Sequence, residues 1–245
     1  MKEFGIIGYP LSHSFSKRYF SNKFLVEGIT GCTFTPFPLR SLTEFSDLIY
    51  SHPGLKGLNV TIPYKMEILP YLTDRSVIPL GLDACNCIRI NEGELKGFNT
   101  DIIGFEQALL PLLHSEIISA LILGNGGAAA AVRYVLDRIK IKYKTVVRNI
   151  TKGAYLSYEQ LDEKYITEHK LIINTTPLGT YPKIDECPPI PYLYLTPVHI
   201  LFDLVYNPEK TLFLQKGEEM GAVIENGYRM LVLQAEEIWK IWNNG

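Results

Sequence analysis

The stretch ISALILGNGGAAAAVRYVL, residues 118–136, constrains the fold more than any other part of the chain. Its strand-like opening is apolar at every position from Ala120 to Leu123. A strand with one wet face alternates apolar and polar residues. An unbroken apolar run belongs in a sheet covered on both faces, and such sheets are parallel. The run ends in Gly124-Asn125-Gly126-Gly127 and continues into alanines, the best helix formers. Strand, glycine turn and helix in that order open a βαβ unit.

The same rhythm recurs downstream in KYKTVVRN (142–149), KLIINTTP (170–177) and HILFDLVYNP (199–208), each a buried strand ending in polar residues. Upstream, EFGIIG (3–8), CTFTPF (32–37) and GLNVTI (57–62) are shorter strands. Helical segments such as 16–28, closed by Gly28 as a C-cap, separate them. NCIRINEGELKGFN (86–99) reads instead as a hairpin turned at Asn91-Glu92-Gly93. Residues 151–166 carry only a weak helical pattern. The terminal segment 226–242 is a strong helix, with Leu231, Gln234, Ile238 and Ile241 on one stripe. Gln234 is the odd member, because a buried amide must find partners. The expectation is an α/β chain of two domains joined near residues 101–105.

Composition narrows the function classes. The 245 residues are 47% hydrophobic, enough for two modest cores. A formal net charge of −2, with lysine and arginine scattered, leaves no electrostatic footprint for nucleic acid or an anionic membrane. No apolar run reaches membrane-spanning length, and MKEFGIIGYP does not read as a signal peptide. The cysteines, Cys32, Cys85, Cys87 and Cys187, lack a CxxC pair, so they read as thiols of a reducing cytoplasm. The histidines are dispersed, and no metal site is expected.

Gly124, Gly126 and Ala129 spell G-x-G-x-x-A. In that pattern the missing side chains let backbone N–H groups approach a pyrophosphate at a helix N-terminus. A purely structural turn is the bland alternative; the strand before and the helix after favour a dinucleotide. An NAD site places a carboxylate about 20 residues past the glycines. Here stand Arg148, Asn149, Thr151 and Lys152 instead, which suit a 2′-phosphate and point to NADP. Two solvated cations at a strand end are the competing explanation.

The other chemistry-bearing stretch is LNVTIPYK, residues 58–65. Pro63 breaks the strand, so Tyr64 and Lys65 are expected in the first turn of a helix. The positive helix end and partial burial would there depress the lysine pKa and suit it to proton donation. Ser14 and Ser16 precede a helix where hydroxyls and orphan N–H groups bind a carboxylate, although Ser16 also reads as a plain N-cap. Asp101 lies where it would cap IIGFEQALL. Asn59, Thr61, Asn86 and Gln234 supply neutral donors and acceptors suited to a polyol.

GYPLSHSFS (8–16), GLNVTIPYK (57–65), ACN (84–86), GFNTD (97–101), GNGGAA (124–129), NTTPLG (174–179), DLVYNP (203–208) and NGYRMLVLQA (226–235) follow the order and spacing of shikimate dehydrogenases. The chain resembles that family over essentially its whole length. The resemblance implies reduction of 3-dehydroshikimate to shikimate with NADP(H), on the route to chorismate and aromatic amino acids. It implies a substrate domain at 1–103 plus 225–245 and a Rossmann-like NADP-binding domain with a parallel sheet at 104–224. Lys65 and Asp101 become the catalytic pair, titrating as a coupled unit. Ser14, Ser16, Thr61, Asn86, Tyr206 and Gln234 become substrate contacts, with Asn59 bracing the loop. Gly124, Gly126, Gly127, Ala128, Arg148, Asn149, Thr151, Lys152 and Gly227 become cofactor contacts. The expected protein is a cytoplasmic monomer or homodimer acting on a small molecule.

The chain departs from the family's pattern at Lys17, where proline is usual, and at Cys87, where threonine is usual. A quinate dehydrogenase shares the architecture, but many accept NAD, against Arg148. A silent NADP-binding sensor would be favoured by loss of Lys65 or Asp101, and both are present.

Overall fold

The computed structural model describes residues 1–11, 15–150 and 155–243. The chain divides into two compact units, residues 1–100 with 235–245, and residues 101–234.

The first unit contains β1 (Lys2–Gly8), α1 (Phe15–Val26), β2 (Cys32–Pro38), α2 (Phe45–Ser51), β3 (Leu55–Val60), β4 (Cys87–Asn91) and β5 (Glu94–Phe98). Its sheet runs in the order β2-β1-β3-β4-β5, parallel through β3 and antiparallel beyond. Gly28 ends α1 as expected: its φ is +64°, its N–H reaches Leu25, and the Ile29 N–H reaches back to Phe24. The hairpin turns on Glu92 and Gly93, both at positive φ.

The second unit contains α3 (Asp101–Leu109), β6 (Ser119–Leu123), α4 (Gly127–Arg138), β7 (Lys142–Val147), β8 (Leu156–Ser157), α5 (Glu163–Glu168), β9 (Leu171–Asn174), β10 (Ile200–Asp203), α6 (Leu212–Glu219) and β11 (Val223–Glu225). Helix α7 (Tyr228–Asn243) follows, and the division of units falls within it. All strand pairs are parallel, in the order β11-β10-β9-β6-β7-β8. Leu121, Leu123, Ile172 and Leu201 pack with Ile166 of α5 and Phe213 of α6. At an alternate strand position, Phe202 meets Phe105 of α3 edge-on at 5.2 Å. Both faces are covered, as the apolar runs required.

Cores lie on both sides of the first sheet as well. Ile7, Leu58 and Ile88 bury against Phe45 and Leu48 of α2. Phe4, Ile6 and Cys87 bury against Phe20 of α1 and Ile238 and Trp242 of α7. The buried stripe of α7 is Met230, Gln234, Ile238 and Trp242. Leu231 and Ile241, expected on it, are only half-buried. The indole decides the register: Trp242 stacks on Phe4 at 4.8 Å and donates Nε1–H to Ile88 O at 3.0 Å. Gly57 makes room for it, since a Cβ there would stand 2.2 Å from Trp242 Nε1. On α1, Lys23 bonds Glu27 at 2.7 Å and Glu236 of α7 at 2.9 Å.

Candidate active site

In the first sheet β1 lies between β2 and β3, so the winding reverses there. The carboxyl ends of β1 and β3 flank a topological switch point, where open α/β sheets bind ligands. The chain leaving β3 carries Thr61 and Lys65. The Thr61 N–H donates to Ile7 O at 2.9 Å and the Tyr9 N–H to Ile62 O at 3.1 Å. Gly8 permits this approach, since its Cβ would lie 2.4 Å from Thr61 Cγ2.

Lys65 does not open a helix. Residues 62–68 form consecutive turns, leading to a single 3₁₀ turn at Leu69–Tyr71. Pro70 supplies the reason: it lacks the N–H that a helix begun at Tyr64 needs, and its ring would clash with the carbonyl at residue 66. The turn is anchored instead through buried Tyr64, whose hydroxyl donates to Leu39 O at 2.8 Å, and through buried Ile68. The Cys85 N–H donates to Lys65 O at 2.7 Å and holds this half-buried lysine in place. Its own turn is not the start of a helix.

Ser14 lies outside the described residues. Ser16 is the second residue of α1, so it is not the cap; it is buried, and its Oγ accepts from Asn59 Nδ2 at 3.1 Å. Asn59 thus ties the end of β3 to α1. Among the described residues its Oδ1 is buried without a hydrogen-bond partner. Asn86, also buried, accepts from the Thr100 N–H at 2.7 Å and donates to Thr100 Oγ1 at 3.0 Å. That pair fixes the residue before Asp101, which begins α3 and is 4% exposed. Cys87 faces the aromatic cluster around Trp242, where burial pushes its thiol well above the usual range. Threonine's hydroxyl at this apolar place would demand a partner, which explains the cysteine.

In the second unit the winding reverses between β6 and β9. The glycine turn leaves β6 there, beside the loop that leaves β9. Gly124 has φ +106°, and its Cβ would stand 2.7 Å from Thr175 Oγ1. Gly126 is extended and caps α4; a Cβ on it would meet nothing within 4 Å. Gly127 and Ala128 begin α4 with N–H groups that no helical carbonyl can satisfy. Open space over Gly126 and these donors fit a dinucleotide pyrophosphate. Arg148 and Asn149 stand exposed just past β7; Thr151 and Lys152 lie outside the described residues.

Beside this turn lies a buried network with no signature local in sequence. Asp203, at the end of β10, accepts from Asn174 Nδ2 at 2.9 Å, the Val205 N–H at 3.0 Å and Thr211 Oγ1 at 2.6 Å. Burial pushes its pKa up to about 6, against those hydrogen bonds. It ties the loops NTTPLG and DLVYNP together; the polar residues at both strand ends were the available signal. Tyr206, in the second of these loops, is half-buried. Gly227 is required by packing, since its Cβ would stand 2.2 Å from Leu204 O. Buried Gln234 donates to Leu231 O at 3.0 Å, with Gly104 of α3 leaving room beside it. Among the described residues no group of three metal-ligating side chains exists, and no helix is long and apolar enough to cross a membrane.

Comparison with known proteins agrees with this layout. The profile of the shikimate dehydrogenase substrate binding domain matches residues 6–88. The chain is 32% identical to a shikimate dehydrogenase (NADP(+)) of Desulforamulus reducens, covering 97% of this chain and 88% of the relative. It is 36% identical to that of Clostridium beijerinckii, covering 98% and 92%. Its fold matches a Thermus thermophilus shikimate 5-dehydrogenase, solved with NADP(H) and shikimate, at a TM-score of 0.87. That match has 25% identity and covers 100% of this chain and 94% of the other.

Proposed function

The chain belongs to the shikimate dehydrogenase family, and we propose how its residues divide the work of that enzyme. The activity is the NADP-dependent interconversion of 3-dehydroshikimate and shikimate, an oxidoreduction at a CH–OH group. Bound NADPH supplies the hydride that reaches the ketone carbon.

Lys65 supplies the proton. A ketone accepting hydride becomes an alkoxide, and an ammonium positioned beside that oxygen protonates it as charge develops. Asp101 pairs with Lys65, sustains its charge and orients it. Ser14 and Ser16 take the ring carboxylate, and Thr61, Asn86, Tyr206 and Gln234 take the hydroxyls. Gly124, Gly126, Gly127 and Ala128 cradle the pyrophosphate, Arg148, Asn149, Thr151 and Lys152 hold the 2′-phosphate, and Gly227 borders the nicotinamide. Substrate belongs to residues 1–103 with 225–245 and cofactor to 104–224. The observation that carries this reading is Lys65, half-buried on an anchored turn at the switch point of the first sheet.

The test is oxidation of shikimate by the purified chain with NADP⁺ or NAD⁺, followed by the absorbance of reduced nicotinamide. Turnover with NADP⁺, and a Lys65→Ala variant whose kcat falls ~10²–10⁴-fold while KM is nearly kept, is the expected result. Turnover with quinate and NAD⁺ instead would transfer the chain to the quinate enzymes, and an equal loss of affinity would make Lys65 a binding residue. We place the protein in the cytoplasm as a monomer or homodimer; the four cysteines are free thiols, and sedimentation decides the stoichiometry.

A further inference from the structure

The glycine turn holds a side chain of its own, Asn125, and the structure gives it two partners distant in sequence. Its Oδ1 accepts from Arg133 of α4 at 2.7 Å, and its Nδ2 donates to Tyr155 Oη at 2.9 Å. Tyr155 immediately precedes β8, which pairs with the end of β7 at Val146 and Val147. The chain Arg133–Asn125–Tyr155 therefore joins the glycine turn to the segment beyond β7. In a sheet wound in this order, that side of the turn receives the adenosine ribose.

Arg133 is half-buried, and among the described residues no carboxylate pairs with it. Arg138, one turn and a residue further along α4, pairs with Glu106. The bond to Asn125 lies at the surface, so the guanidinium keeps its charge and is accessible to an anion. One of its N–H donors is spent on Asn125, and its planar fork has others to offer. Tyr155 accepts from Asn125 and keeps its own hydroxyl proton to donate.

We propose that Arg133, oriented by Asn125 and backed by Tyr155, is a specificity-determining residue for the 2′-phosphate, additional to Arg148. This rests on the reading of the glycine turn as the NADP site. The arrangement would select NADP over NAD by two donors that a bare ribose hydroxyl leaves unused. Asn125 is the positioning residue: it holds the guanidinium toward the ribose side of the turn.

Calorimetric titration of the full chain with NADP⁺ and with NAD⁺ tests this without turnover. Arg133→Gln is expected to weaken NADP⁺ ~10-fold or more and NAD⁺ less than about 2-fold, since only the former loses a charge-assisted bond. Arg133→Lys should recover part of the loss, and Tyr155→Phe should cost less than Arg133→Gln. Thermal unfolding without ligand should be unchanged in all three. Equal weakening of both dinucleotides would assign Arg133 to the pyrophosphate or to the turn's integrity and overturn the proposal. Unchanged NADP⁺ affinity would also overturn it. A parent chain that binds neither dinucleotide would remove the cofactor reading itself, and this inference with it.

Discussion

Gly124→Ala and Gly126→Ala, made side by side, separate what the glycine turn needs for folding from what it needs for its ligand. At Gly124 the φ of +106° strains any L side chain. The new Cβ would also press on Thr175 Oγ1 at 2.7 Å and Thr176 Cγ2 at 3.0 Å. Neither threonine can yield cheaply, because Thr175 Oγ1 donates to Leu123 O at 2.7 Å and Thr176 Oγ1 to Asn174 Oδ1 at 2.6 Å. Strain of about 1–3 kcal/mol plus a weakened hydrogen bond of about 1 kcal/mol gives a loss of roughly 2–4 kcal/mol. At Gly126 the φ of −85° suits any residue and the methyl meets nothing. Alanine there gains about 0.4–1 kcal/mol through the unfolded chain and loses about as much because glycine is the better N-cap, so the melting temperature should stay near the parent's. The methyl does, however, fill the space over the first N–H groups of α4. Losing one charge-assisted bond to the pyrophosphate costs about 1.5–3 kcal/mol, or roughly 10–150-fold in Kd. Differential scanning calorimetry followed by titration with NADP⁺ reads both numbers. A Gly126→Ala protein that binds NADP⁺ as tightly as the parent, or melts as early as Gly124→Ala, would refute the reasoning.

Asn86→Ala leaves the buried Thr100 N–H without its acceptor and should lower stability by about 2–3 kcal/mol. Both tryptophans, Trp239 and Trp242, belong to the first unit, so urea unfolding followed by their fluorescence reports that loss directly. An unshifted midpoint with a raised KM would show that Asn86 serves substrate alone. The pH dependence of the second unit has a definite sign. Burial holds His199 and His169 below the ordinary histidine pKa, and His199 Nε2–H donates to Ile166 O at 3.0 Å. The unfolded chain therefore binds more protons, and the stability present above about pH 6.5 is lost as pH falls toward the folded values. Asp203, with its pKa raised to about 6, has the opposite sign: its contribution falls as pH rises from about 4 to 6. Melting temperatures should thus drop between about pH 7.5 and 6.5, and the fall should flatten near pH 6, where the folded Asp203 carboxyl is half protonated and opposes it. A drop unchanged in a His169→Gln/His199→Gln double variant would place the titration elsewhere.

The parallel sheet of the second unit was legible because continuous apolar runs admit few alternatives. The hairpin was legible because Asn91-Glu92-Gly93 is a turn signal, with Gly93 free to take positive φ. What escaped depended on contacts far apart in sequence. Lys65 read as helical because Pro63 starts helices well, while the veto came from Pro70 and from Tyr64 reaching Leu39. Gln234 and Ile238 lie on the buried stripe of α7 as read, but its ends are Met230 and Trp242, which Leu231 and Ile241 match in apolarity. Trp242 is singled out by the space at Gly57 and by its bond to Ile88 O. Asn125, Arg133 and Tyr155 have no common motif, and Asn174 meets Asp203 only across the sheet.

The division of units inside α7 bears on how the chain matures. Residues 101–234 are contiguous and can acquire their core while synthesis continues. Residues 1–100 can by then bury only the face against α2, because on the other face Trp242 fills the place beneath Gly57 and against Phe4, and Glu236 receives Lys23. The unit that opens the chain is therefore completed last. The segment translated first waits, with its aromatic face open, for the segment translated after residue 234.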